Sequence, residues 1–217
     1  MDYAAARHAM VESQIRTNRV SDPAIVTAFE EIPRELFVPM NLRSVAYVDE
    51  AVPLGQGRFL MEPLALAQLL QAAEIRPSDV VLDVGCATGY SAAILARLAA
   101  TVVAIEENPG FVREANRLLS EQIVHNAAIL ESALTEGCPK QAPYGVIILE
   151  GGVEEIPDAL VAQLGEGGRL ACVIVGAGGF GKGTLLTRIG GSVVRRTVFD
   201  AGTPLLPGFA RRPSFVF

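Results

Sequence analysis

Asp83, Gly85, Gly89 and Glu106 are the residues whose types and spacing most directly suggest chemistry. The apolar run VVLDV carries a carboxylate at Asp83, breaks into Gly85-Cys86-Ala87-Thr88-Gly89, and resumes as the apolar SAAILARLAA. A second apolar run, VVAIE, ends in Glu106, about 20 residues beyond the turn, which is where nucleotide-binding folds place a ribose-holding carboxylate. Glycines let a backbone bend sharply and approach a ligand, a helix N-terminus offers free N–H groups, and a carboxylate accepts two hydroxyls. The expected chemistry is therefore nucleoside binding, with Asp83 orienting the turn and Glu106, ahead of its neighbour Glu107, closing an apolar strand. Cys86 reads as a small packed residue. Ala87 replaces the middle glycine of the usual run, which is tolerable at negative φ and costly at positive φ.

Other residues carry weaker signals. Glu150 precedes Gly151-Gly152, and paired glycines suit a backbone that approaches something closely. Glu154-Glu155 would stabilise the start of a helix at Ile156. Gly176-Ala177-Gly178-Gly179-Phe180-Gly181 matches GxGxxG, but TLLTRIGGSVV beyond it is broken by two glycines where the fingerprint needs a helix. Lys182-Gly183 also fails the phosphate-loop pattern, so a connection into a hairpin is expected. His8 and His125 stand apart and Cys86, Cys138 and Cys172 lack CxxC spacing, so no metal site is expected.

The elements that must position these groups follow from periodicity. From Val80 onward, strands at 80–84, 102–106, 127–131, 144–149 and 169–175 alternate with helices at 90–99, 109–121 and 157–163. Alternation of this kind predicts a parallel sheet with helices on both faces. LLTRI and VVRRTVF, separated by Gly190-Gly191-Ser192, predict an antiparallel hairpin at the end. Ahead of the sheet, residues 4–20 have helical spacing, Ser21-Asp22-Pro23 opens a helix over Ala24 to Ile32, ELFVP is extended, and Glu62 to Ala73 is helical. With 217 residues, half of them hydrophobic, one domain is expected, with residues 1–75 as a helical segment and 76–217 as the sheet. A net charge of −6 argues against nucleic acid or an anionic membrane as partner. MDYAAARHAM lacks the apolar stretch of a signal peptide, no run reaches a membrane span, and few cysteines fit a reducing cytoplasm.

With those elements placed, the chain resembles the protein-L-isoaspartate O-methyltransferase family over nearly its whole length. The resemblance rests on MVESQIR at 10–16, IPRELFVP at 32–39, PLGQG at 53–57, VLDVGCATGYSAAILA, AIEENP, and the block from Pro143 to Leu170. It implies a Rossmann-like class I methyltransferase fold that binds S-adenosyl-L-methionine and its product S-adenosyl-L-homocysteine. Asp83, Gly85, Cys86, Ala87, Gly89, Glu106, Glu107, Ser132, Ala133 and Glu150 would lie at the cofactor. It also implies methyl transfer to a stray carboxylate of a protein or peptide, the first step in repairing isoaspartyl damage; the oligomeric state is left open by the sequence, with a monomer the simplest expectation.

The sequence departs from the family where the acceptor should bind. After PLGQG the family carries a Thr-Ile-Ser run before a proline; here Gly57 is followed by Arg58-Phe59-Leu60-Met61-Glu62-Pro63. Phe59 and Met61 stand at the hydroxyl positions and cannot donate hydrogen bonds to a carboxylate. Glu62 adds negative charge where an anionic substrate would sit, offset if Arg58 faces it. Arg58, Met61 and Glu62 are thus the candidate acceptor-side residues. Two accounts of Phe59 and Met61 stand side by side: filler closing a defunct pocket, or a pocket re-cut for a less polar acceptor. The family's acidic Gly-Asp-Gly element has become Ser132-Ala133-Leu134, and its stretch after the fourth strand has become Glu150-Gly151-Gly152. A non-catalytic relative that binds a cofactor or partner is the alternative from another class.

Overall fold

The structure, a computed structural model, describes residues 1–176 and 178–211. Its N-terminal segment is helical but not one helix. Asp2 caps α1 (Tyr3–Met10) by accepting from the Ala5 N–H at 3.0 Å. The coil then widens into a π turn (Val11–Ile15), tightens into a 3₁₀ turn (Arg16–Asn18), and ends at Arg19 with φ 67°. Ser13 and Thr17 hydroxyls donate back to the Ala9 and Ser13 carbonyls at 2.6 Å each, a competition that polar residues bring to a helical ladder. The expected apolar face survives, with Met10, Ile15 and Val20 buried.

Asp22 caps α2 (Pro23–Glu31) through the Ala24 N–H at 2.8 Å, and Pro33 follows its end as expected. ELFVP is not extended as expected. Arg34–Phe37 curl into a 3₁₀ turn, because the wholly buried Arg34 guanidinium must find carbonyls. Its Nε donates to Ala46 O at 2.7 Å and its Nη2 to Met61 O at 2.6 Å.

A hairpin that the sequence did not suggest comes next, β1 (Val52–Gly55) and β2 (Arg58–Leu60). Its turn residues Gln56 and Gly57 both have positive φ, 52° and 73°, the geometry that joins twisted strands tightly. Alternation along β2 turns Arg58 and Leu60 inward and leaves Phe59 outward. The chain continues into α3 (Pro63–Ala73).

The main sheet contains β3 (Val80–Val84), β4 (Thr101–Glu106), β5 (Ala127–Glu131), β6 (Tyr144–Val153), β7 (Leu164–Val175), β8 (Gly181–Ile189) and β9 (Ser192–Ala201), in the order β5-β4-β3-β6-β7-β8-β9. Pairing is parallel as far as β7 and antiparallel through β8 and β9. Helices α4 (Tyr90–Leu95), α5 (Pro109–Glu121) and α6 (Asp158–Ala162) lie in the connections, so the expected α/β architecture is present. α4 is shorter than expected because its last turns tighten, with Arg97 N–H on Ile94 O and Leu98 N–H on Leu95 O. β6 is longer than expected because its end pairs with the C-terminal segment: Gly152 N–H donates to Pro204 O at 2.8 Å, and Leu206 N–H to Gly152 O at 2.7 Å.

The glycine-rich run after β7 leads into strand β8, not a helix, which removes the second nucleotide fingerprint; its Ala177 lies outside the described residues. One apolar cluster packs α3 and α4 with the N-terminal helices, and a second gathers Leu149, Leu160, Leu170 and Phe209. Among the described residues, no helix is long and apolar enough to cross a membrane.

Candidate functional site

β3 has β4 on one side and β6 on the other, so the chain's winding reverses at β3. In open α/β sheets the crevice beyond the strand ends at that point is where ligands bind. The glycine turn sits there. Gly85 has φ 83° and its N–H donates to Ile105 O at 2.9 Å, folding the turn over the end of β4. Gly89 has φ 92° at the start of α4, where a Cβ would stand 3.1 Å from Ala115 Cβ on α5. Ala87 has φ 46°, the costly case, a strain of ~1–2 kcal/mol. Cys86 is packed as expected, and burial pushes its thiol well above the ordinary value.

Asp83 is wholly buried and accepts from Ser91 Oγ at 2.7 Å, so it orients the start of α4. Its other oxygen has no hydrogen-bond partner. Burial, with Glu106 adding and Ser91 and Arg58 opposing, pushes this carboxyl up to about 7.

Glu106 is also wholly buried, and four donors converge on it. Oε2 accepts from the Ala87 N–H at 3.0 Å and stands 3.0 Å from Arg58 Nη2. Oε1 accepts from the N–H groups of Glu107 and Asn108 at 3.0 and 3.1 Å. Arg58 Nη2 also donates to Gly85 O at 2.5 Å. A carboxylate has about four lone-pair directions, so three N–H donors and the Arg58 ion pair leave Glu106 little capacity for a further donor. Glu106 is buried, whereas the Glu107 side chain is exposed and only its N–H takes part. Nearby, Ser132 N–H donates to Glu106 O at 3.1 Å and its hydroxyl to Gly137 O at 3.0 Å, while Ala133 is exposed and Leu134 buried.

The three acceptor-side candidates go to different places. Arg58 reaches into the glycine turn and pairs with Glu106; no ion pair with Glu62 forms. Met61 is buried, and Phe59 on the opposite face of β2 is 36% exposed, so filling describes only Met61. Glu62 is part-buried, its Oε2 has no partner, and burial raises its carboxyl. Glu150 is 7% exposed with an unpartnered Oε1, and burial, then Asp83, holds it well above the carboxylate range. Arg34 was missed; its cation sits 5.0 Å from the Tyr90 ring centre, and the sequence signal was an arginine inside an otherwise apolar PRELFVP.

Residues 203–209 were missed as well. Gly151 and Gly152 do approach something closely, and it is this segment: a Cβ at Gly151 would stand 3.1 Å from Leu206 Cβ, and one at Gly152 2.9 Å from Thr203 O. A Cβ on Gly85 would be 2.9 Å from both Leu206 Cδ1 and Arg58 Nη2. Glu154 does not cap α6, which begins at Asp158; it holds residues 209–211. Its N–H donates to Phe209 O at 3.1 Å, and its carboxylate accepts from Arg211 N–H at 2.5 Å. The donor and acceptor set beside Gly85 suits a nucleoside, but Arg58 and Leu206 fill the space a ligand would take. Elsewhere, His8 pairs with Glu30 at 3.0 Å on the exposed α1–α2 surface, beside Glu12, whereas His125 is isolated and exposed as expected.

The model of the family described as Protein-L-isoaspartate(D-aspartate) O-methyltransferase (PCMT) matches residues 5–197. A protein-L-isoaspartate O-methyltransferase of Methanoculleus marisnigri is 40% identical over 168 residues, covering 77% of this chain and 76% of the relative. The protein-L-isoaspartate O-methyltransferase 2 of Pelobacter propionicus is 33% identical over 201 residues, covering 93% and 89%. A solved protein-L-isoaspartate O-methyltransferase superposes with TM-score 0.80 at 25% identity, over 93% of this chain and 66% of its own. A Plasmodium falciparum structure described as a beta-aspartate methyltransferase in complex with S-adenosyl-L-homocysteine shares the fold, with TM-score 0.76 at 16% identity over 93% and 96%.

Proposed function

The chain belongs to the protein-L-isoaspartate(D-aspartate) O-methyltransferase family, and from that premise we propose that the crevice between Gly85 and Glu106 is its S-adenosylmethionine site. By family it is an S-adenosylmethionine-dependent O-methyltransferase. The observation that carries the site assignment is Glu106, a buried carboxylate ending β4 and aimed beside the side-chain-free Gly85. Glu106 would hold the ribose hydroxyls, Gly85 would leave room for the amino-acid end, and Ser132 and Ala133 would border the base. Asp83 and Glu150 line the β3 and β6 ends of the same crevice. The solved relative with S-adenosyl-L-homocysteine supports this choice of ligand.

The cofactor supplies an activated sulfonium methyl, and a carboxylate acceptor needs no general base. What the protein must do is position the acceptor and exclude water. The acceptor class is a carboxylate of a protein or peptide, and the role proposed for the chain is repair of damaged proteins in the cytoplasm, as a monomer. In this division of labour residues 1–75 form the acceptor side and 76–217 the cofactor side. Met61 and Phe59 supply no hydroxyl there, and Glu62 is held toward its neutral form by burial. A second account, an acceptor less anionic than isoaspartate, is favoured by the same three residues.

The test is transfer of labelled methyl to an isoaspartyl peptide. Two missing donors at ~1.5–3 kcal/mol each correspond to a rate two to four powers of ten below a relative with the Thr-Ile-Ser run. Phe59→Thr with Met61→Ser should recover part of it. A rate in the unchanged protein matching that relative would rule out the second account.

A further inference from the structure

We infer that this chain carries its own competitor for the nucleoside site: Arg58 occupies Glu106 and Leu206 covers Gly85, so that cofactor enters only when both withdraw. The inference rests on the site assignment above and concerns access to that site.

The two groups come from opposite ends of the sequence and meet over one glycine. Arg58 arrives from β2 at an inward position fixed by strand alternation, and its Nη2 bridges Gly85 O and Glu106 Oε2 at 2.5 and 3.0 Å. A ribose hydroxyl that donates to Glu106 needs the space beside Oε2 that Arg58 now takes. Leu206 is 3% exposed, and its Cδ1 lies 2.9 Å from where a Gly85 side chain would begin. While the leucine is there, the face of Gly85 from which a side chain would project is closed to a ligand atom. The leucine is held by hydrogen bonds that can open as a unit. Gly152 bonds to Pro204 and Leu206, and Glu154 to Phe209 and Arg211.

Arg58 is also the least satisfied buried arginine. Its Nε and Nη1 both lack a partner among the described residues, where Arg7, Arg34, Arg43 and Arg188 each leave one such nitrogen and Arg169 bonds two carbonyls and a carboxylate. Arg58 therefore has spare donors for another acceptor when it leaves Glu106. The acid it would leave behind gains hydroxyl donors from the ligand in return, so exchange keeps that carboxylate satisfied.

The apparent affinity of such a site falls in proportion to the fraction of molecules that are open. The experiment is calorimetric titration with S-adenosylhomocysteine of the full-length protein, Arg58→Met and Leu206→Ala, with amide hydrogen exchange of the unchanged protein followed at Gly152 and Leu206. We expect each variant to bind at least tenfold more tightly than the unchanged protein. Saturation should also speed exchange at both amides. Equal affinity in all three proteins, with the two amides still protected at saturation, overturns the competitor and leaves the cofactor site standing. No binding by any of the three at millimolar ligand, with all three folded by thermal melting, overturns the cofactor site itself and the competitor with it. If either variant fails to fold, the exchange measurement on the unchanged protein decides alone.

Discussion

The turn after β3 and the turn of the β1–β2 hairpin are both short, rich in glycine, and pitched into positive φ, yet they do opposite things. Gly85 and Gly89 shape a backbone so that something else can come near it. Gly55 and Gly57 fold a hairpin so that one side chain, Arg58, can be carried to a distant place. A Cβ at Gly85 meets Leu206 and Arg58 at 2.9 Å, whereas at Gly57 it meets nothing within 4 Å. The first glycine is constrained by its surroundings as well as its torsion; the second by torsion alone. One turn is a receptacle and the other a lever.

The sharpest way to break this contrast is through the group that joins the two turns. Glu106→Ala leaves Arg58 as a buried cation without a counter-charge, and should cost ~3–5 kcal/mol of stability in urea unfolding. A loss below ~1 kcal/mol would mean that the lever is free to swing to solvent. Gly85→Val combines an unfavourable torsion with overpacking against Leu206, and should cost ~3 kcal/mol while abolishing S-adenosylhomocysteine binding by calorimetry.

Asp83 tests the receptacle by pH. Its carboxyl sits near 3.8 when unfolded and about 7 when folded, so the folded protein holds the proton more tightly. Its contribution to stability is complete below about pH 4 and is lost as pH rises through 7. Asp83→Asn should remove that slope and gain up to ~2 kcal/mol at pH 8.5, measured by urea midpoints across pH. An unchanged slope would place the titration elsewhere. The smallest effect belongs to the hairpin: Gly57→Ala should cost only ~1 kcal/mol, the torsional part, because there is open space around it. A cost equal to that at Gly85 would erase the difference between the two turns.

The same contrast explains what could be read in the sequence. β3, β4, β5 and α5 were legible to within a residue because apolar runs, glycines and helical spacing are local signals. The contact of Glu106 with the glycine turn was legible because strand ends and glycine turns bear a fixed relation. Arg58 was placed in the acceptor segment from its neighbours in sequence, yet the geometry that turns it toward Glu106 depends on the inward phase of a three-residue strand in a hairpin with no alternating pattern long enough to detect. The long end of β6 was invisible for another reason. Its partner is residues 204–206, and nothing in TPLLPGF says which strand it will meet. Where Ser13 and Thr17 turn on their own helix, or Arg34 curls ELFVP, tertiary demand overrides local propensity.

The pairing of Gly152 with Pro204 and Leu206 has a consequence in time. α6 and three strands of the chain separate these partners, so their contacts cannot form until all four elements have been made. A chain emerging from the ribosome builds β3, β4 and β6 before Leu206 has been synthesised. For that interval Arg58 alone stands over Gly85, and small molecules meet the newborn protein on terms the finished one does not offer.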